Sequence, residues 1–126
     1  MKLSLIVILA FIFAIVGLCQ NNNQYITQQV YRIDSLHVQT NADGQLTLKA
    51  FAMVPNPCYR FSHVESQLKG DSVFVTLFAK TDKSVNCVQV IASLAMPVTL
   101  DFKNSGLFHL RFLGRTTHFD TTITVN

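Results

Sequence analysis

The stretch Gln45-Leu46-Thr47-Leu48-Lys49-Ala50-Phe51-Ala52-Met53 indicates the fold class of this chain most directly. Apolar side chains occupy every second position from Leu46 to Ala52, while Thr47 and Lys49 stand between them. Successive side chains of a β-strand point to opposite faces of a sheet. The period of two therefore predicts a strand with one buried face.

A second alternating stretch, Ser72-Val73-Phe74-Val75-Thr76-Leu77-Phe78-Ala79-Lys80, carries apolar side chains on both faces. Its aliphatic residues share one face, and Phe74 and Phe78 lie on the other. This pattern predicts a strand that is either covered on both sides or placed at a sheet edge.

Turn-forming segments recur about every eight to twelve residues, a spacing typical of β-sandwiches and barrels. Asp43-Gly44 offers the positive φ of a tight hairpin, and Pro55 and Pro57 exclude a central strand around them. The predicted strands are residues 28–39, 45–53, 59–68, 72–80, 107–113 and 115–125, plus two short strands meeting at Met96-Pro97 within 85–102. The sequence predicts an all-β, antiparallel β-sandwich of seven or eight strands.

The first nineteen residues have the features of a secretory signal peptide. Lys2 precedes an unbroken apolar run, and Gly17 and Cys19 supply small residues for cleavage before Gln20. The alternatives are an uncleaved membrane anchor and lipidation of Cys19. We expect a signal peptide at 1–19, a polar spacer at 20–27, a β-sandwich domain at 28–126 and an extracytoplasmic location.

Cys58 and Cys87 are the two cysteines beyond the predicted signal. An even number of cysteines in a small exported domain is typical of a disulfide. The alternative, a redox or metal-binding pair, lacks the C-x-x-C spacing and neighbouring histidines that metal motifs use. We therefore predict a structural Cys58–Cys87 disulfide and no metal site.

Several segments in order resemble a group of small exported bacterial immunoglobulin-like domains with one cysteine in each of two loops. They are Pro55-Asn56-Pro57-Cys58, Ser72-Val73-Phe74-Val75-Thr76-Leu77, Val85-Asn86-Cys87-Val88-Gln89 and the run from Gly106 to Gly114. The resemblance covers about residues 46–125. It implies an immunoglobulin-like fold and the disulfide, and no activity, because these domains have none assigned.

Charge and motifs exclude several functions. The formal net charge is +3, one unit of which is Lys2 in the signal, and no run of like charges exceeds two residues, so a nucleic-acid partner is not expected. No G-x-S-x-G elbow, phosphate-binding glycine loop or EF-hand spacing is present. We expect no catalytic residues, no enzymatic activity and no cofactor.

Two groups of residues are candidate sites. In the last hairpin, the outward face brings His109 near Asp120 or His118, a pair that suits a metal ion or a pH-sensitive contact, or is an ordinary solvated sheet face. Tyr59, Phe61 and His63 share one face of a strand. With Phe51 and Met53 on a neighbouring strand they form either an exposed interaction patch or part of the core.

These observations favour a secreted or surface-associated, non-catalytic interaction or structural module. Its expected partner is a protein or a cell-surface component, with membrane contact only if Cys19 is lipidated or the signal stays uncleaved. The alternative is a loop-presenting inhibitor of secreted proteases, with loops at 54–59 and 81–86. A small-molecule or carbohydrate binder is disfavoured by the lack of tryptophan.

Overall fold

The alternating residues of Gln45–Val54 divide between a buried and a more exposed face. Leu46, Leu48, Ala50, Ala52 and Val54 are each at most 1% exposed, as the period of two predicts. The computed structural model describes residues 24–126. The expected signal at 1–19, Cys19 and the start of the spacer lie outside the described residues.

Residues 24–126 form eight β-strands and no helix, which confirms the all-β class. The strands are β1 (Tyr25–Gln29), β2 (Arg32–Ala42), β3 (Gln45–Val54), β4 (Arg60–Lys69), β5 (Ser72–Asp82), β6 (Ala92–Asp101), β7 (Gly106–Leu113) and β8 (His118–Val125). Within these residues, no helix of sufficient length and apolarity to cross a membrane is found.

The strands form a five-stranded and a three-stranded sheet whose inner faces enclose the core. β5 is the central strand of the larger sheet: β4 pairs with one of its edges, β1 and β7 pair with the other, and β8 pairs with β7. The smaller sheet has the order β2-β3-β6. The largest fully buried side chains come from both sheets and include Phe112, Leu46, Leu48, Leu77, Met96 and Leu110.

One strand pair departs from the predicted antiparallel arrangement. β5 and β7 run parallel, from the pair Ser72–His109 to the pair Thr76–Leu113. The reason is that β6 belongs to the other sheet, so the chain returns to β5 in the same direction. β1 pairs antiparallel with the remaining half of the same β5 edge.

β5 is neither at an edge nor fully covered on both faces. Its aliphatic residues lie in the core, and Phe74 and Phe78 are half-buried on the outer face. The His63 ring stacks on Phe78 with centroids 4.5 Å apart, and the Lys69 ammonium lies 5.5 Å from the Phe74 centroid. Side chains of β4 thus cover part of each phenylalanine, and the Phe74 ring remains partly open.

The predicted first strand, 28–39, is two strands in different sheets. The chain crosses at Val30, whose N–H donates to Leu77 O of β5 (3.0 Å), and Tyr31, whose N–H donates to Met53 O of β3 (2.9 Å). Val30 and Ile33, on the two sides of the crossing, are both buried, and their odd spacing does not fit a single strand with one buried face. β1 begins at Tyr25, so the fold also includes the end of the predicted spacer.

Residues 85–102 contain one strand instead of two. β6 continues through Pro97, which pairs with Lys49 of β3. Because β6 is an edge strand, the missing N–H of Pro97 is tolerated on its unpaired side. Residues 83–91, before β6, belong to no strand.

Gly114 lies where the β7–β8 loop, residues 114–117, folds over the crossing. An added Cβ would lie 2.5 Å from both Thr117 O and Tyr31 O and 2.9 Å from the Arg32 Cα.

We expect Gly114→Ala to lower the free energy of unfolding by roughly 1–3 kcal/mol, because the backbone must shift. Urea denaturation followed by circular dichroism measures the change. Thr117→Ala in the same loop should stay within about 0.5 kcal/mol of wild type, and an unchanged Gly114→Ala protein would contradict this packing.

Candidate functional site

The Cys58–Cys87 disulfide joins two loops at one end of the sandwich. Cys58 lies in the β3–β4 connection, Cys87 lies in the middle of residues 83–91, and their Cα atoms are 6.1 Å apart. The predicted disulfide is confirmed. Such bonds form and persist in oxidising, extracytoplasmic compartments.

Residues 83–91, which we call the disulfide loop, expose a dense set of aliphatic side chains. Val85, Val88, Val90 and Ile91 are 53–68% exposed. They are four of the nine exposed large hydrophobic residues in the part of the chain that the structure describes. Single exposed apolar residues are normal on a protein surface, whereas a cluster marks an interaction site.

Asp82 fixes the start of the disulfide loop. Its Oδ1 accepts hydrogen bonds from the Ser84 N–H (2.9 Å) and the Ser84 hydroxyl (2.7 Å), and its Oδ2 accepts one from the Gln24 amide (3.2 Å). The bonds from Ser84, the backbone one foremost, lower the pKa of the Asp82 carboxyl below its usual value. The Lys83 N–H also donates to Gln24 O (2.8 Å), so the loop leaves β5 in a defined direction.

An open groove of about 520 Å³ continues the apolar surface of the disulfide loop. It is lined by Tyr31, Arg32, Met53, Ile91 and Thr116. These residues come from the chain crossing, the end of β3, the disulfide loop and the β7–β8 loop. We call this groove, together with the disulfide loop and the start of β1, the disulfide end.

The start of β1 enlarges the apolar surface and lies beside cationic groups. Tyr25 and Ile26 are 38% and 43% exposed, and they pair with the last residues of β5. The Arg60 guanidinium and the Lys80 ammonium lie 5.6 and 5.3 Å from the Tyr25 ring centroid, within the range of cation–π contacts. Positive charge therefore borders the apolar surface formed by the start of β1.

The five residues of the predicted aromatic patch do not lie together. A β-bulge between Phe61 and His63 reverses the alternation of β4, so Phe61 packs against the core while His63 is on the outer face. Tyr59 is buried, and this burial raises the pKa of its hydroxyl. Phe51 and Met53 lie on the outer face of the other sheet, Phe51 against the His37 ring and Met53 in the groove of the disulfide end. β3 and β4 are not neighbours, so the expected patch is not formed.

The predicted pairing of His109 with Asp120 or His118 is wrong. The turn of the last hairpin contains residues 114–117, and this places His109 opposite Thr122 and His118 opposite Leu113. Asp120 lies opposite Arg111, and His109 Nε2 lies 3.7 Å from Asp71 Oδ2. Because the turn is longer than expected, the partner of His109 lies two residues beyond Asp120.

Arg111 and Asp120 form a two-bond ion pair on the outer face of the five-stranded sheet. The Arg111 Nε and Nη2 atoms donate to the two carboxylate oxygens at 2.8 and 3.3 Å. This pairing lowers the pKa of Asp120 and raises that of Arg111. Both groups are exposed, so solvent weakens their attraction. The pair lines a groove of about 680 Å³ together with Ser72, Phe74, His109, Leu110, Thr121 and Thr122.

Within residues 24–126, no group of three or more histidine, cysteine or acidic side chains is arranged to hold a metal ion. Comparison of the chain with protein-family models, curated proteins and solved structures finds no match.

The disulfide loop differs from the prediction, in which residues 85–91 belong to a strand. Val88 and Val90 alternate with Gln89 as strand residues do. Cys87 is the residue that indicates a loop here, because its disulfide to Cys58 in another loop is incompatible with a place in the middle of a sheet. An apolar run beside a cysteine that is bonded to a loop is therefore a candidate exposed interaction surface.

Removal of the disulfide should destabilise the protein without abolishing the two sheets. The bond closes a loop with a sequence separation of 29, for which loop-closure entropy gives roughly 3–4 kcal/mol. We expect the Cys58→Ala/Cys87→Ala protein to lose that much unfolding free energy in urea. Residues 83–91 should also be cleaved sooner by a protease of broad specificity. Unchanged stability and unchanged cleavage would show that the bond constrains nothing.

The hydrogen bonds to Asp82 predict that part of the stability is lost in acid. Because its pKa is lowered by folding, the ionised carboxylate stabilises the native state above the usual aspartate pKa of 3.8. This contribution disappears as the pH falls through the lowered value. The Tm of Asp82→Asn should therefore be below that of wild type at pH 7, and the difference should shrink by pH 2. Asp43→Asn, in the turn at the opposite end, is the control, and a difference independent of pH would contradict the assignment.

Proposed function

We propose that this chain is a non-catalytic, extracytoplasmic interaction module that binds a partner protein through its disulfide end. The observation that carries the proposal is the concentration of exposed aliphatic side chains on one tethered loop. Val88, at 68%, is the most exposed large hydrophobic residue in the described chain. A tethered loop loses less conformational entropy on binding than a free one, so more of the contact energy contributes to affinity.

The charge around the disulfide end indicates the surface that a partner should present. Arg32 is paired with Asp34 at 2.9 Å. Asp82 keeps its negative charge, but it is outnumbered by the cations of this end, which are Arg60, Lys80, Lys83 and Arg115. The guanidinium of Arg115 lies 5.7 Å from the Tyr31 ring centroid. An apolar patch surrounded by acidic residues is the complementary surface, and such charge complementarity accelerates association.

Export and an immunoglobulin-like relationship are part of the proposal. The disulfide and the two-sheet architecture are consistent with small exported immunoglobulin-like domains, while the parallel β5–β7 pair is a departure from an antiparallel sandwich. A secretory signal at 1–19 would deliver the chain to a compartment in which the disulfide persists.

The geometry favours an interaction module over the protease-inhibitor alternative. Of the two loops that the inhibitor hypothesis requires, residues 54–59 turn back on themselves, with Asn56 and Tyr59 buried. The Asn56 side chain accepts a hydrogen bond from the Cys58 N–H (3.0 Å), and its carbonyl accepts one from the Tyr59 N–H (3.4 Å). Of the second candidate, residues 81–86, only 83–86 lie beyond β5, and they are part of the disulfide loop. Residues 83–91 are therefore the segment that presents side chains outward.

Replacement of an exposed loop valine by aspartate should weaken partner binding while the fold is preserved. We expect Val88→Asp and Val90→Asp each to weaken binding at least tenfold, equivalent to about 1.4 kcal/mol, since a charge would enter an apolar contact. The measurement uses quantitative pull-down of exported proteins with the immobilised domain, followed by the Kd of each purified partner. The association rate of a true partner should fall as salt is raised.

Val38→Asp is the matched control. Val38 is a valine of comparable exposure, 55% against 58% for Val90, and it lies in β2 away from the disulfide loop. A partner retained by wild type and Val38→Asp but lost by the loop variants supports the proposal. Equal recovery by all four proteins refutes it. Stoichiometric inhibition of papain-like or trypsin-like proteases, lost in Val88→Asp, would favour the inhibitor instead.

A further inference from the structure

The outer face of the five-stranded sheet carries a second surface, unlike the disulfide end in its chemistry. We call the groove of about 680 Å³ the outer groove. It crosses three adjacent strands, at the beginning of β5 and in the middle of β7 and β8. Its volume is within the range of small-molecule sites, about 300–1,000 Å³. Phe74 also lines an adjoining groove of about 430 Å³ with Glu65, Gln67, Thr76 and Leu113, so the surface extends on both sides of the Phe74 ring.

Charges in and beside the outer groove are balanced. Arg111 is neutralised by Asp120 through two hydrogen bonds, and the His109 ring lies 3.7 Å from the Asp71 carboxylate. Lys69, beside Phe74, is the remaining cation, and Glu65 of the adjoining groove is an acid of opposite charge. A phosphate or carboxylate ligand would find no uncompensated cluster of positive charge here. The balance therefore favours an uncharged ligand.

Hydrogen-bonding capacity in the outer groove exceeds what its internal contacts use. A guanidinium has five N–H donors, and Asp120 accepts from two of the Arg111 nitrogens. A carboxylate can accept about four hydrogen bonds, so Asp120 retains lone pairs for a ligand. The hydroxyls of Ser72 and Thr122 line the same groove. Planar charged groups of this kind bind two neighbouring hydroxyls at once, which suits a ligand rich in hydroxyl groups.

The chain has no tryptophan, and Phe74 provides the apolar part of the surface in its place. It is half-buried in the middle strand of the sheet, so its ring is held in place while one part remains open to both grooves. Neutral sugars combine an apolar C–H face with a rim of hydroxyls, and they match an aromatic ring flanked by polar groups. Because the surface continues past Phe74 on both sides, a short chain of sugars fits it better than a single unit.

We propose that the outer groove binds a neutral oligosaccharide, with Phe74 packing against a sugar ring and Arg111 and Asp120 bonding to its hydroxyls. This site is independent of the disulfide end. Its ligand class follows from the juxtaposition of a fixed aromatic ring and a charge-balanced row of donors and acceptors on three adjacent strands.

The test is a titration of the ¹⁵N-labelled domain with neutral trisaccharides, followed by amide chemical shifts. The probes are cellotriose, maltotriose, N,N′,N″-triacetylchitotriose and mannotriose, with inorganic phosphate and trigalacturonate as anionic comparisons. We expect saturable shifts with at least one neutral probe, confined to β4, β5, β7 and β8 around Phe74. Its Kd should change less than twofold between 50 and 500 mM NaCl, since no net charge is neutralised.

Phe74→Ala and Asp120→Asn should each weaken that binding at least tenfold. Phe78→Ala is the matched control, because Phe78 is on the same face of the same strand but lines neither groove. Asp120→Asn keeps the size of an exposed side chain, so it tests the site even if Phe74→Ala unfolds. Val90→Asp should leave sugar binding unchanged, which separates this proposal from the protein-binding one.

Three outcomes would overturn the proposal. Absence of saturable shifts with all four neutral sugars at 20 mM would exclude a neutral oligosaccharide site of useful affinity. Shifts with phosphate or trigalacturonate alone would assign the groove to anions. Neutral-sugar shifts that persist in both Phe74→Ala and Asp120→Asn would place the binding elsewhere on the domain.

Discussion

The organisation of this protein depends on a backbone junction at Val30 and Tyr31. The N–H of Val30 joins β5, the N–H of Tyr31 joins β3, and the two sheets are thereby linked through consecutive residues. The carbonyls of the same two residues accept hydrogen bonds from Arg115 (3.1 Å) and Thr116 (3.0 Å) of the β7–β8 loop. All four backbone groups are satisfied, as buried peptide groups must be. The sheets therefore cannot slide at this end without breaking several bonds together.

The disulfide extends this rigid junction to a segment that has no ladder of its own. Residues 85–91 form neither a strand nor a helix, so their backbone contributes little order. The bond from Cys87 to Cys58 and the hydrogen bonds at Asp82 hold the segment at its middle and its start. Ile91 then lines one groove with Tyr31 and Thr116, which the junction itself positions. The apolar surface is consequently a fixed feature of the fold.

The sequence was most informative where burial is decided by neighbours along one strand. The alternation of β3, the turn at Asp43-Gly44 and the disulfide were all predicted, because local pattern and compartment determine them. The crossing at Val30–Tyr31 was not predictable, since it is defined by hydrogen bonds to distant residues. The bulge before His63 reversed one face and the four-residue turn at 114–117 shifted one register. The aromatic patch also fails because β3 and β4 lie in different sheets, whereas the longer turn alone gives His109 and His118 other partners on the same face.

Exposure of aliphatic residues at the disulfide end contrasts with the protection of the sheet edges. β6 carries Pro97 in its middle, which limits pairing with another strand. β8 is bordered by β2, where the Asn41 side chain donates to Thr124 O at 2.7 Å and accepts from the Asn126 N–H at 3.4 Å. With these edges protected, the exposed Val88 and Val90 form an apolar surface that remains open to association. Because that surface is tethered by the disulfide and bordered by cations, its partners must have a matching shape and the opposite charge. This restriction distinguishes a specific binding surface from an apolar surface that only aggregates.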